Sequence, residues 1–264
     1  MHILVEIRVD GGRPDAELIT DRLWHAGAVG VEERPGLVIA AFDSTSAATT
    51  TADEFGATIR TVTDSTGLDG WRPYAEVHSA GPFTIRAPWH EPGPGVDLVI
   101  DPGHSFGSGS HPSTRLAIEA LALLVEPGMH VVDLGSGSGV LAIAAALLGA
   151  RATAIDIDPG SSATITANAE RNGVAARVET STADIATVST CGDLAVLNVT
   201  IDIHEQVAAG LHSQRIETLV AAGLLAGPQE DRAAAAHRRT ISHRIVDGEW
   251  AALVLGHGPA AAPS

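Results

Sequence analysis

The chain is predicted to be an α/β protein, a doubly wound, mostly parallel seven-stranded sheet with an antiparallel closing strand, preceded by a small α+β domain. Three observations carry that prediction. The apolar run Met129–Val132 leads into Asp133-Leu134-Gly135-Ser136-Gly137-Ser138-Gly139 and then Val140–Ala146, so a buried strand, a glycine-rich turn and a helix follow one another. From there strand and helix signals alternate to Leu255, the order required by a parallel sheet wrapped in helices. Residues 1–65 alternate as well, but without a phosphate-type loop.

Taken in order, Met1–Val9 alternates apolar and polar residues as a half-buried strand does. Pro14 and Asp15 start a helix carrying Leu18, Ile19, Leu23 and Trp24, which Gly27 is placed to end. Val29–Glu32 and Leu37–Phe42 read as strands joined through Arg34-Pro35-Gly36. A helix around Asp53–Ile59 and a short closing strand complete a ferredoxin-like βαββαβ order over residues 1–65. Residues 66–95 hold five prolines with Trp71 and Trp89 and no sustained helical period, as in a semi-rigid linker with some strand. The third region, 96–264, begins with the loop Asp101–Ser110 and a helix across Thr114–Leu124 that Gly128 closes. Next come a helix ending at Gly149, the strand Ala152–Asp156, and a helix from Pro159 to Arg171 stopped by Asn172-Gly173. Strands at Arg177–Thr180, Leu194–Asn198 and Thr218–Ala222 follow, with helices at Ile203–Leu211 and Glu230–His237. Ile241–Val246 and Trp250–Leu255 are linked so closely that they must pair antiparallel at the sheet edge.

Composition narrows the class. With 264 residues the chain has room for an ordinary α/β domain and a smaller one. Hydrophobic residues make up 45% but aromatics only 3%, so the core is built from Ala, Val, Leu and Ile. Thirty-two acidic residues against 16 basic ones give a formal net charge of −16, which argues against direct nucleic-acid binding and favours a basic protein partner. The single Cys191 leaves no intramolecular disulfide and no cysteine zinc cluster, so no metal is expected and a reducing, cytoplasmic setting is. The first residues lack the pattern of a signal peptide, and the most apolar stretch, Val140–Ala150, is far shorter than the roughly 20 residues of a membrane span. A monomer that does not enter a membrane is expected.

Ligands of open α/β sheets lie beyond the carboxyl ends of the strands, which selects the residues that follow each strand. The glycine loop comes first. A nicotinamide fingerprint requires a glycine at the sixth position counted from Gly135, and Val140 stands there. Alternate glycines with an acid two residues ahead instead resemble the first motif of Rossmann-like methyltransferases that bind S-adenosylmethionine. Glycines at Gly135 and Gly137 let the backbone take unusual dihedrals and a ligand come close, and Asp133 can face an amino group. Asp156 lies 23 residues after Asp133, near the spacing of an acid that grips ribose hydroxyls; Asp158, before Pro159, is its rival and reads better as a helix cap. Asp184 either accepts from an adenine amino group or is a solvated turn aspartate. Asn198 ends the fourth strand of the large sheet, where a neutral amide can orient an amine or hold the cofactor without titrating. The small residues flanking Phe106 suggest a flap ahead of a helix that has Thr114 in its first turn. His111 reads as a helix-entry residue rather than a base.

In combination, Asp101-Pro102-Gly103, Phe106-Gly107-Ser108-Gly109-Ser110-His111-Pro112-Ser113-Thr114, the glycine loop, Ile155-Asp156-Ile157-Asp158-Pro159 and Asn168-Ala169-Glu170-Arg171-Asn172-Gly173 resemble the PrmA family. Those enzymes methylate amino groups of ribosomal protein L11. The resemblance is strongest over residues 96–200, and it implies a ferredoxin-like substrate-recognition domain, a linker and a class I methyltransferase domain. It also implies that Thr114, Gly135, Asp156 and Asn198 contact S-adenosylmethionine, while Asn198 and Phe106 are the candidates for orienting substrate. The sequence departs from the family at Asn198-Val199-Thr200-Ile201, where a small residue and Ala are usual, so the acceptor pocket differs. Another protein or a small molecule as acceptor, a nicotinamide oxidoreductase and a silent adenosine-binding scaffold are the rival readings.

Overall fold

The computed structural model describes residues 2–8, 19–20, 22–23, 26–28, 30–34, 36–42, 44–62, 76–101, 107–212 and 215–257. The chain divides into two units, Met1–Ala75 and Glu76–Ser264. In the first, β1 (His2–Arg8), β2 (Gly30–Arg34), β3 (Leu37–Phe42) and β4 (Thr58–Val62) form an antiparallel sheet in the order β2-β3-β1-β4. The period-2 alternation of β1 puts Ile3, Val5 and Ile7 in one cluster with Phe42, and Ile19 and Leu23 of the first helical segment join it. Leu18 and Trp24 fall outside the described residues.

The second helix of this unit, α1, spans Thr45–Phe55 rather than Asp53–Ile59, and Ile59 belongs to β4. Ser44 caps its start by accepting from the Ala47 N–H, and Gly56 ends it in the left-handed region at φ 61°. Only Ala48, Thr51 and Ala52 are buried along it, so no large apolar residue marked its period in the sequence.

The stretch expected as a linker with some strand, 66–95, falls partly within the described residues. Residues 63–75 lie outside the description, but from Glu76 the chain belongs to the second unit. There β5 (His78–Ala80), β6 (Phe83–Arg86) and β7 (Val96–Val99) make a three-stranded sheet in which β6 and β7 run parallel. Pro82, Pro88, Pro92 and Pro94 fall between the short strands, while Phe83, Ile85, Leu98 and Ile100 are buried in the main core.

That core lies on one face of a seven-stranded sheet built from β8 (His130–Leu134), β9 (Arg151–Ile155), β10 (Val178–Ser181), β11 (Cys191–Asn198), β12 (Arg215–Leu225), β13 (Arg239–Asp247) and β14 (Trp250–His257). Their order is β10-β9-β8-β11-β12-β14-β13, and only β14 runs against the rest. β13 and β14 are joined across Gly248, whose φ of 57° suits the first central position of a tight hairpin turn. Helices α2 (Pro112–Leu124) and α3 (Val140–Leu147) pack into the core cluster that includes β5–β7, while α5 (Ile201–Leu211) and α6 (Pro228–His237) cover the opposite face. The remaining helix, α4 (Pro159–Arg171), follows β9, and Ile165 packs on Ala142, Ala152 and Ala154. α2 ends at Leu124 with Val125 as its cap, so Gly128 shapes the following turn instead of closing the helix. No helix among the described residues is long and apolar enough to cross a membrane.

Candidate functional site

The strands that carry the candidate residues end together. Ser181, Ile155, Leu134, Leu197 and Ala221 are cross-strand partners over β10, β9, β8, β11 and β12. One step further along each strand stand Asp156, Gly135 and Asn198, the last paired with Ala222. This end of β8 and β11 is also where the strand order reverses, the crevice in which open α/β sheets hold their ligands.

The glycine loop is a sequence of left-handed residues: Gly135, Gly137 and Gly139 have φ of 76°, 52° and 82°. Space decides the third of them, because a Cβ on Gly139 would meet Ile165 Cγ2 at 2.9 Å. The loop is tied to the end of β9, where the N–H groups of Gly135 and Ser136 donate to the Ile155 carbonyl at 2.8 and 3.0 Å. Asp156 completes the tie, its Oδ2 accepting from the Gly137 N–H at 2.7 Å and its Oδ1 from the Asp158 N–H at 2.9 Å. Asp158 is the N-cap of α4, with Oδ1 accepting from the Gly160 N–H at 2.9 Å.

Buried polar atoms without partners mark the rest of the site. Among the described residues four such side-chain atoms occur, and three of them, Asp133 Oδ1, Asn198 Oδ1 and Thr200 Oγ1, belong to β8, to β11 or to the two residues beyond it. Each costs roughly 1–3 kcal/mol while it stays unpaired, so this end of β8 and β11 offers hydrogen-bonding groups that a ligand can satisfy. Asp133 is 1% exposed, and its Oδ2 accepts from the Ala142 N–H in the first turn of α3 at 3.1 Å. Burial pushes its carboxyl up to about 7, opposed by the Ala142 N–H and the Ser136 hydroxyl, while Asp156 adds to the rise. Asn198 Nδ2 donates to Thr114 Oγ1 at 3.1 Å, which joins two predicted positions 84 residues apart in the chain. Thr200 stands at the N-cap of α5, yet its hydroxyl makes no capping bond.

The raised Asp133 value has a measurable consequence. Between the ordinary carboxylate range and about 7 the folded protein holds a proton that the unfolded chain has released, so stability present at acid pH declines as pH rises through that window. In denaturant titrations of the ligand-free protein, Asp133→Asn is expected to remove a slope of up to about 1.4 kcal/mol per pH unit between about pH 4 and pH 7. An unchanged slope in the variant sinks this assignment.

Other expectations fare differently. Phe106 lies in residues 102–106, outside the description. Asp184 is exposed, and its Oδ1 caps the turn that follows by accepting from the Ala186 N–H at 2.8 Å. His111 is the N-cap of α2, its Nδ1 accepting from the Ser113 N–H at 3.2 Å and its ring edge-on to Trp250 at 4.6 Å. Burial, with Arg115 nearby, lowers its pKa to about 4, so at neutral pH it is an uncharged cap.

Sequence reasoning missed three contributors. Gly223 lies at an irregularity in the β12–β14 pairing with φ 80°, and a Cβ there would sit 2.3 Å from the Val199 carbonyl oxygen. An isolated glycine inside an apolar strand is the signal that would have found it. His204, fully buried, holds the neighbouring Ala222 carbonyl through Nε2 at 2.9 Å, and the Val199 N–H reaches the same oxygen at 3.3 Å. Because a carbonyl can only accept, His204 Nε2 carries the proton and its Nδ1 accepts from His237 Nε2 at 3.0 Å. Ile157, beside Asp156, is 68% exposed, an apolar face where a polar one would be usual.

Comparison with known proteins agrees with this geometry. The family model described as ribosomal protein L11 methyltransferase (PrmA) matches residues 38–257. A ribosomal protein L11 methyltransferase of Thermus thermophilus is 38% identical over 260 residues, covering 94% of this chain and 98% of that protein. One from Heliobacterium modesticaldum is 38% identical over 196 residues, which are 70% of this chain and 61% of its own length. Among solved structures, a ribosomal protein L11 methylase from Lactobacillus delbrueckii subsp. bulgaricus superposes with a TM-score of 0.61 at 25% identity, covering 69% of this chain and 96% of that one.

Proposed function

The chain belongs to the ribosomal protein L11 methyltransferase (PrmA) family, and on that premise we propose that it transfers methyl groups from S-adenosylmethionine to lysine or N-terminal amino groups of ribosomal protein L11. The observation that carries the reading is the set of unpaired buried oxygens, Asp133 Oδ1 and Asn198 Oδ1, at the end of the two central strands. The crevice also fits the cofactor in kind. Asp133 Oδ1 receives the ammonium of its amino-acid part, Asp156 the ribose hydroxyls, and exposed Ile157 offers an apolar face to the base. The positive-φ glycines at Gly135 and Gly137 keep the floor of the loop free of side chains. Asp184 serves the adenine amino group through the oxygen that does not cap its turn.

When bound, S-adenosylmethionine supplies an electrophilic methyl group on a sulfonium. The protein has to deliver a neutral amine to it, although a free lysine has a pKa of about 10.4. Asn198 Oδ1 accepts an N–H of the incoming amine, and Thr114 fixes the other end of the amide, so the nitrogen lone pair is oriented toward the methyl carbon. A carboxylate in that position would favour the ammonium, whereas a neutral amide does not. With the cofactor bound, its C–S bond would be exchanged for the new N–C bond, and the amine proton would leave to water. Positioning supplies the acceleration without a strong base. The net charge of −16 draws a basic ribosomal protein toward the crevice.

The first unit, Met1–Ala75, captures the protein substrate. With isotope-labelled S-adenosylmethionine, matched ribosomal protein L11 is expected to take up label at amino groups that mass spectrometry maps. Removing Met1–Ala75 is expected to lower kcat/KM for L11 at least tenfold and leave the affinity for S-adenosylhomocysteine unchanged. If the shortened protein methylates small amines as well as the full chain does and the full chain leaves L11 unlabelled, the acceptor is a small molecule.

A further inference from the structure

We infer that Asn168 is a positioning residue for cofactor binding, acting through Ser138 and Asp101 without touching the cofactor. The inference rests on the proposed methyltransferase reading and assigns work to a motif, Asn168–Gly173, that the reading leaves unused. Asn168 in the last turn of helix α4 and Asn172 at its C-cap stand one turn apart, about 6.0 Å along the helix axis. On β7 and its continuation, Val99 and Asp101 are two residues apart, about 6.6 Å, and they face the edge opposite β6. The repeats match closely enough for two side-chain amides to stand in for a neighbouring strand.

That is the observed pairing. Asn172 Oδ1 accepts from the Val99 N–H at 2.9 Å, and its Nδ2 donates to the Val99 carbonyl at 2.7 Å. Asn168 repeats the pattern on Asp101, accepting at 3.0 Å and donating at 2.9 Å. Each amide makes further bonds: Asn168 Nδ2 also donates to the Ser138 carbonyl in the glycine loop at 3.1 Å and its Oδ1 also accepts from Arg171 Nη1 at 2.8 Å, while Asn172 Nδ2 also donates to the Asn168 carbonyl at 2.8 Å; only Asn168 reaches the glycine loop. Ser138 in turn donates through Oγ to the Gly107 carbonyl at 2.5 Å. Asn168 and Ser138 are both fully buried. The end of β7, the glycine loop and Gly107 are therefore held in one register by Asn168, whereas Asn172 ties the end of the helix to Val99 and to the Asn168 carbonyl without reaching the glycine loop.

The two asparagines thus form an internal control. Calorimetric titration with S-adenosylhomocysteine is expected to show affinity at least tenfold weaker in Asn168→Ala and within twofold of wild type in Asn172→Ala, although both variants melt several degrees lower. Asn168→Asp keeps the size and the acceptor but turns a carboxylate oxygen on two carbonyls, so its affinity falls at least as far; it carries the test if the alanine variant does not fold. In steady state the KM for S-adenosylmethionine rises in the Asn168 variants and kcat stays within threefold. Asn168 variants that bind S-adenosylhomocysteine like wild type, or an Asn172 variant equally weakened, overturn the assignment. Wild-type protein that does not bind S-adenosylhomocysteine overturns the methyltransferase reading itself.

Discussion

Replacing Asn198 by alanine is expected to cut methyl transfer to ribosomal protein L11 by about 100-fold, equivalent to about 2.7 kcal/mol of barrier. The size follows from the placement of the amide. It stands at the end of β11 with one end fixed by Thr114 and the other unpaired, so its loss would remove the group proposed to orient the amine without opening the core. Misplacing a reacting atom by about 1 Å costs a factor of this order. The loss appears in kcat, while the affinity for S-adenosylhomocysteine changes by less than tenfold. Thr114→Val, which leaves Asn198 in place but frees its anchored end, is expected to lose about tenfold. Turnover within threefold of wild type in Asn198→Ala removes the residue from the mechanism.

A second large effect is expected at a residue that touches no ligand. Gly223→Ala places a Cβ 2.3 Å from the Val199 carbonyl oxygen in a backbone already at φ 80°. Left-handed strain and overpacking together amount to roughly 2–4 kcal/mol, and in a chain of this size the melting temperature falls by about 10 °C. Activity falls further than stability, because relief of the clash has to move Val199 and with it Asn198. The struck atom is a backbone oxygen, so Val199→Ala does not rescue the variant. Gly128→Ala is the control: its φ is 93°, but nothing lies within 4 Å of the added carbon. It keeps full methyltransferase activity and loses only the strain, about 1–2 kcal/mol. Equal activity in the Gly223 and Gly128 variants refutes the coupling of β12 to the acceptor loop.

What could be read in the sequence was local. The glycine loop, the strand-ending Asp156 and Asn198, and the stop at Asn172-Gly173 announce themselves within a few residues, because dihedral freedom and strand ends are local properties. Where apolar periodicity was weak, the reading slipped. The alanine- and threonine-rich α1 shows no stripe of large residues, and its helix was expected eight residues too late. Prolines between short strands looked like a linker, although Phe83, Ile85, Leu98 and Ile100 belong to the main core. Contacts that depend on packing were not legible at all. Nothing near Asn168 announces that it pairs with Asp101, 67 residues earlier, and nothing near Thr114 points to Asn198.

The position of β14 has a consequence for how the protein is made. The last strand among the described residues is inserted between β12 and β13, and it supplies the pairing of β13 and one whole edge of β12. Until residues 250–257 have left the ribosome, β13 has no strand to join, and the Gly223 irregularity lacks the neighbour against which it forms. Folding from the amino terminus during synthesis can complete the first unit and strands β8–β11, but the β12 side of the crevice takes shape only once β14 has been synthesised.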